Sequence, residues 1–80
     1  MSYKVMYVGR YKEQEHVFKL TDETFNYKHR AVEWVNNWAM KHRKESDGYE
    51  MMWLRSSCTL CIDKLCNDHW LTEMICVEKI

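Results

Sequence analysis

Four cysteines and a histidine in the last quarter of the chain are the residues whose types and spacing could carry chemistry. They follow the pattern Cys58-x2-Cys61-x4-Cys66-x2-His69, and Cys76 lies seven residues further on. Two cysteines at x2 spacing followed by a Cys/His pair at the same spacing supply four soft ligands, which is the donor set of a structural zinc site. The first interpretation is therefore a zinc site, in which Cys76 could replace His69.

The same segment also has the pattern of a short amphipathic helix. The residues that recur at helical spacing are Cys58, Cys61, Ile62, Leu65, Cys66 and His69. Free cysteine often behaves as a small buried hydrophobe. A helix over 58–69 excludes the zinc site, because about 1.5 Å of rise per residue separates its ends by roughly 16 Å. Zinc holds its ligands at about 2.0–2.3 Å. We expect the helix, and hence no metal ligands and no cofactor.

Enzymatic chemistry and nucleic-acid binding have less support in the sequence. A Cys–His pair has no recognisable third group to orient it, and the two glycines leave no loop that could cradle a phosphate. We therefore expect a non-enzyme with no catalytic residues. The formal net charge is zero, and the basic run over 41–44 suits the negative end of a helix dipole. Nucleic acid is thus not the expected partner, although a small zinc-stabilised nucleic-acid-binding module remains the alternative function.

Hydrophobic periodicity predicts the elements that must position these residues. Alternating apolar side chains predict strands over 3–11, 16–20, 49–55 and 70–78. A helix is predicted from about Thr24 to Glu45, with an apolar face of Tyr27, Ala31, Trp34, Val35, Trp38 and His42. The order is β-β-α-β-(α)-β. We expect a single α+β domain over residues 1–80, with an antiparallel sheet of about four strands and one long helix packed on one face.

Large apolar side chains exceed what so small a core can hold. The chain has four Trp, five Tyr and six Met in only 80 residues. One helix covers one face of a sheet, so the other face should also be apolar. Either the short helix over 58–69 covers that face, or a partner binds to it; an edge strand could also pair with a partner strand. The partner is expected to be another protein or a second copy of the chain. The predicted partner-binding residues are Tyr7, Tyr11, Met52, Trp53 and Trp70.

The chain contains no recognisable targeting or membrane segment. Its N-terminus lacks the apolar run of a signal peptide, and no stretch approaches the roughly 18 apolar residues of a membrane helix. We therefore expect a cytoplasmic protein with no membrane partner, in which the cysteines stay reduced.

The opening residues Lys4-Val5-Met6-Tyr7-Val8-Gly9-Arg10-Tyr11-Lys12 resemble the start of small host-takeover proteins of T-even-type phages, in particular Dmd-type antitoxins. Those proteins also begin with a basic-flanked apolar strand, a Gly-x-aromatic-Lys step and a second strand that ends before a helix. The resemblance covers about the first twenty residues and does not include the cysteine cluster. It implies a stoichiometric protein inhibitor of a host factor, such as a toxin nuclease, and it assigns no functional residue.

Overall fold

The computed structural model describes residues 1–80 and contains five strands and one α-helix. The strands are β1 (Tyr3–Tyr11), β2 (Gln14–Lys19), β3 (Glu50–Leu54), β4 (Thr59–Cys66) and β5 (His69–Lys79). The helix α1 spans Lys28–His42, and a 3-10 helical turn over Glu45–Asp47 leads into β3. The predicted class, α+β with one helix on an antiparallel sheet, is confirmed, but the sheet has five strands rather than about four.

All five strands form one sheet in the order β2-β1-β5-β4-β3, and every neighbouring pair is antiparallel. The longest strand, β5, lies at the centre between β1 and β4. Strands β2 and β3 form the two edges. The predicted first hairpin exists, although its second strand begins at Gln14 rather than His16.

The helix predicted over residues 58–69 is wrong. Its place is taken by strand β4, a two-residue turn and the start of β5. The turn residues Asn67 and Asp68 both have positive φ angles, 49° and 65°. Positive φ at both central residues matches the right-handed twist of a tight hairpin, and Asn and Asp tolerate it better than most residues. The apolar residues of this segment, such as Leu60 and Ile62, thereby alternate with period two instead of lining a helix.

Helix α1 is shorter than predicted, and the residues at the centre of its contact with the sheet differ from the predicted ones. Phe25 exchanges two backbone hydrogen bonds with Tyr3, and this extended bridge delays the helix to Lys28. The fully buried helical residues are Ala31, Val35 and Ala39, whereas Tyr27 is 63% exposed. Small residues at the contact allow the helix to lie close to the sheet, and Trp34 and Trp38 of the predicted face pack against the core as partly buried side chains.

The core lies between α1 and one face of the sheet. It consists of Val5, Ala31, Val35, Ala39, Cys58, Leu60, Ile62, Ile75 and Val77. Apart from the helical residues and Cys58, these side chains come from the central strands β1, β5 and β4. The helix thus covers one face of the sheet and leaves the other without an intramolecular layer.

Candidate functional site

The strand register assigns every side chain of the sheet to one of two faces. Residues directly opposite each other on neighbouring strands share a face, and successive residues alternate between faces. Val5 lies opposite Val77, and Ile75 lies opposite Leu60, so these buried residues define the helix side. We call the opposite side of the sheet the open face.

An apolar row crosses the open face on all five strands. In strand order its members are Val17, Val8, Met74, Cys61 and Met52. The next row holds Lys19, Met6, Cys76, Thr59 and Leu54. Thr59 is buried, donates its hydroxyl to the Ser57 carbonyl oxygen at 3.1 Å and lies 3.6 Å from the Cys76 sulfur, so this row contributes little polar surface at its centre. Methionine and cysteine supply five of these ten side chains, and flexible methionines adapt to a partner surface.

A charged row and a second apolar pair follow along the strands. The charged row holds Glu15, Arg10, Thr72, Asp63 and Glu50. Beyond it, Trp70 lies opposite Leu65, and each is 55% exposed. Arg10 contacts Glu15 at 3.4 Å across β1 and β2, an exposed pair of the kind that adds little stability. Lys4 and Glu78 pair at the other end of the face, so the open face has an apolar centre with charged groups on both sides.

The five predicted partner-binding residues are divided between the two faces. Met52 and Trp70 lie on the open face, where both are more than half exposed. Tyr7, Tyr11 and Trp53 lie on the helix side. Met52 and Trp53 are neighbours in β3, so they must point to opposite faces and cannot belong to one sheet surface.

The three helix-side residues have partners within the chain. Trp53 donates its indole N–H to Asn36 Oδ1 at 2.9 Å and thereby links β3 to the helix. Tyr11 donates its hydroxyl to the carbonyl oxygen of Cys66 at 3.1 Å. Tyr7 stacks on Phe18, with ring centroids 4.6 Å apart. These contacts give the three residues structural roles in the fold.

Sequence reasoning missed five residues at the centre of the open face: Met6, Val8, Cys61, Met74 and Cys76. A signal for the first two was present, because Met6 and Val8 alternate with the tyrosines of the first strand. Cys61 gave no such signal, because its segment was assigned to a helix.

A buried carboxylate on the helix side is the most polar feature of the interior. Glu73 is 1% exposed, and its two oxygens accept hydrogen bonds from Arg43 Nε at 2.8 Å and Nη2 at 2.9 Å. The Tyr7 hydroxyl donates to the same carboxylate. Arg43 lies one residue after α1 and stacks over Trp38 at 4.7 Å, so the cluster fastens the end of the helix to the centre of the sheet.

Gly9 makes the contact between Tyr7 and Glu73 geometrically possible. Gly9 lies opposite Glu73 in the register, and the Tyr7 ring leans over it. A Cβ atom at Gly9 would lie 2.7 Å from the Tyr7 ring and from its hydroxyl oxygen. Only glycine therefore leaves room for the tyrosine to reach the carboxylate.

The cluster shifts the pKa values of its members in opposite directions. Burial alone would raise the pKa of Glu73, but the hydrogen bonds from Arg43 and Tyr7, with the charge of Arg43, outweigh it and hold the pKa below 4.5. Burial, followed by the hydrogen bond to Glu73 and its charge, raises the pKa of Tyr7 to about 12. Glu73 is ionised and Tyr7 is neutral at neutral pH. Every polar atom of the carboxylate is engaged, which is typical of a structural ion pair.

The cysteine cluster does not form a metal site. No three of the His, Cys, Asp and Glu side chains lie close enough together to hold a metal ion. The reason is the extended backbone, because eight residues at about 3.3 Å each separate Cys58 from Cys66 by roughly 26 Å. All four cysteines are free thiols. Burial, with Asp63 and Cys76 nearby, raises the pKa of the Cys61 thiol, which makes it a weak nucleophile at neutral pH.

The outer edges of the sheet are the second feature able to bind a protein. Each edge strand is paired on one side only. Every residue of β2 is exposed, and β3 presents Met52 and Leu54 beside its free edge. An unpaired edge can accept an extended segment of another chain through backbone hydrogen bonds.

Comparison with known proteins adds no relative, since no protein-family model, curated protein or solved structure matches the chain. The α-helix is too short and too polar to cross a lipid bilayer.

Proposed function

We propose that this chain is a small, non-enzymatic protein-binding module that binds another protein through its open face or through a strand edge beside it. The observation that carries the proposal is two adjacent rows across the five strands, in which eight of the ten side chains are apolar, on a sheet face that no part of the chain covers. Contiguous apolar patches of several hundred Å² on small proteins usually mark interaction sites.

The composition of the face agrees with a binding role. Met6, Met52 and Met74 supply adaptable side chains, and Trp70 supplies the kind of large anchor that dominates binding energy at interfaces. The buried Glu73 cluster supports the helix from the other side of the sheet, so that the open face sits on a rigid scaffold.

The mode of action in this proposal is stoichiometric inhibition of a host factor in the cytoplasm. The resemblance of residues 4–12 to T-even-type phage takeover proteins supports this role, since those proteins act by occupying a host protein rather than by catalysis. Four free thiols are typical of a reducing compartment. The weakly nucleophilic Cys61 and the fully paired Glu73 favour binding over chemistry.

Two matched methionine variants test the proposal. Met52→Lys places a charge on the open face, and Met40→Lys places the same charge on the exposed side of α1. The two side chains are 62% and 73% exposed, so neither change should unfold the protein. A host protein captured by the wild-type chain should bind Met40→Lys equally well and Met52→Lys at least about tenfold more weakly, because burying an unpaired charge costs more than the roughly 1–3 kcal/mol of an unpaired polar group.

The inhibitory part is measured on the captured protein itself. Its activity should fall linearly and vanish near one equivalent of the wild-type chain. If a partner binds wild type and Met52→Lys with the same affinity, the open face is not its binding site. A partner whose activity is unchanged at saturation would remove the inhibitory role.

A further inference from the structure

We propose that, in the isolated protein, a second copy of the chain covers the open face and forms a twofold dimer whose axis runs along β5. The inference rests on the proposed function only in treating the open face as a protein-binding surface. It concerns what covers the open face when no target protein is bound.

The strand order makes the open face nearly symmetric about its central strand. Two strands lie on each side of β5, with β1 and β4 adjacent to it and β2 and β3 outside. A twofold axis parallel to β5 places β1 of one copy over β4 of the other and β2 over β3. Each row of one copy then lies over the same row of its partner, with the order of the five strands reversed. Face-to-face sheets pack about 10 Å apart at a mean angle near −30°.

This arrangement places mostly apolar side chains over one another, and the one charged side chain of these two rows, Lys19, lies over the partner's Leu54 at the outer edge. In the middle row, Val8 lies over the partner's Cys61, Val17 lies over the partner's Met52, and Met74 lies over the partner's Met74. In the next row, Met6 lies over the partner's Thr59. The centre of the contact therefore contains no charged group.

The charged row supplies complementarity that fixes the axis. Arg10 on β1 lies over the partner's Asp63 on β4, and the twofold symmetry makes this contact twice. Within one chain the two residues are two strand spacings apart, about 9.6 Å, and they form no ion pair with each other. The like-charged residues Glu15 and Glu50 also face each other, but both are exposed residues of the edge strands, where water and salt screen their repulsion.

The other axis in the plane of the interface is less favourable. A twofold axis perpendicular to the strands, centred on Met74, would place the charged row over the row that contains Met6 and Cys76. Arg10 would then lie over the partner's Met6, and Asp63 would lie over the partner's Thr59. Glu15 would meet the partner's Lys19, but Arg10, Asp63 and Glu50 would be buried against side chains that cannot neutralise them.

The area of the face matches a reversible dimer. Three rows of five residues at about 33 Å² of sheet plane each present roughly 500 Å² per copy. A dimer covers about 1,000 Å² of sheet plane in total, and side-chain relief and the pair Trp70 and Leu65 add to the accessible area. This is the lower end of the range for specific interfaces, so we expect a dissociation constant in the micromolar range.

Sedimentation velocity with a charge-swap cycle tests the dimer. The wild-type chain should pass from monomer to dimer between about 1 and 300 μM at low salt. Arg10→Asp and Asp63→Arg should each weaken the dimer at least about tenfold, and the double variant should return to within about threefold of wild type. Arg30→Asp, on the exposed side of α1, is the matched control and should change nothing. Met74→Lys at the centre of the face should leave only monomer.

Two results would overturn the dimer. One is a wild-type chain that stays monomeric throughout this range, and the other is a double variant as weak as the two single changes combined. Far-ultraviolet circular dichroism of each variant separates loss of the dimer from loss of the fold. If the wild-type chain is monomeric and the Met52→Lys change still weakens target binding, the dimer is refuted and the proposed function is supported. If the charge swap restores the dimer but no target is found whose binding depends on Met52, the dimer is supported and the proposed function is not.

Discussion

Replacing the buried carboxylate of Glu73 by an amide should remove a large part of the stability of the domain. Glu73→Gln keeps the size and shape of the side chain, but it leaves Arg43 without its counter-charge. The Arg43 side chain is only 22% exposed, and its guanidinium lies 4.7 Å from the Trp38 ring and 5.5 Å from the Tyr49 ring. It cannot turn to solvent without losing these contacts.

The magnitude follows from the burial of the two partners. Removing one partner of a buried ion pair typically costs about 3–5 kcal/mol. Since Arg43 retains some access to water, we expect Glu73→Gln to lower the free energy of unfolding by about 2–4 kcal/mol. A domain of 80 residues has a free energy of unfolding of roughly 4–12 kcal/mol. The variant should therefore melt about 10–25 °C lower than the wild type.

Urea unfolding followed by circular dichroism measures the difference, and its pH dependence identifies the cause. The pKa of Glu73 is lower in the folded chain than the ordinary 4.5, so its contribution is present above that value and is lost as pH falls through the folded pKa. The difference in unfolding free energy between wild type and Glu73→Gln should therefore narrow as pH falls from 4.5 through the lower pKa of the folded chain. Glu78→Gln is the matched control, because Glu78 is 50% exposed and its contact with Lys4 is a surface pair.

Two outcomes would refute this reasoning. A Glu73→Gln variant within about 0.5 kcal/mol of wild type would show that Arg43 does not need the carboxylate. A gap that stays constant down to the acid limit would show that the loss comes from repacking rather than from charge.

Three further changes test other contacts of the fold. Gly9→Ala should cost about 1–3 kcal/mol in urea unfolding, because the new Cβ displaces the Tyr7 ring. Asp68→Gly should raise stability by about 0.5 kcal/mol, since glycine adopts the positive φ of this turn without strain. Ultraviolet absorbance titration should show one of the five tyrosines ionising near pH 12, and Tyr7→Phe should remove that step. A titration with all five tyrosines near pH 10 would contradict the contact between Tyr7 and Glu73.

The periodicity of apolar residues in the sequence was sufficient to predict most of the helices and strands. The strands β1, β2, β3 and β5 and the centre of α1 were predictable, because apolar side chains alternate in the strands and recur at helical spacing in α1. The segment from Cys58 to His69 was not, because its apolar residues fit both a helical and an extended spacing. The only local feature that distinguishes them is the pair Asn67 and Asp68, whose types favour the turn of a tight hairpin.

The candidate site was less predictable than the fold, because a face is defined by tertiary register. An uncovered apolar face follows from composition and from a single helix. The residues that belong to it depend on the register between neighbouring strands, which places Met52 beside Cys61 on the open face and Trp53 beside Leu60 on the helix side. A charged residue at a core position of β5 was visible in the sequence as Glu73. Its partners Tyr7 and Arg43 are 66 and 30 residues away, so only the folded structure identifies them.

The methyl resonances of methionine offer the most direct test that the open face is a protein-binding surface. With methyl-labelled methionine, Met6, Met52 and Met74 report on the open face, while Met40 and Met51 lie on the helix and on the helix side of the sheet. Raising the protein concentration, or adding a captured target, should shift the signals of the first three and leave the other two in place. Shifts confined to Met40 and Met51, or no shift in any methyl group under conditions where binding is saturated, would contradict it.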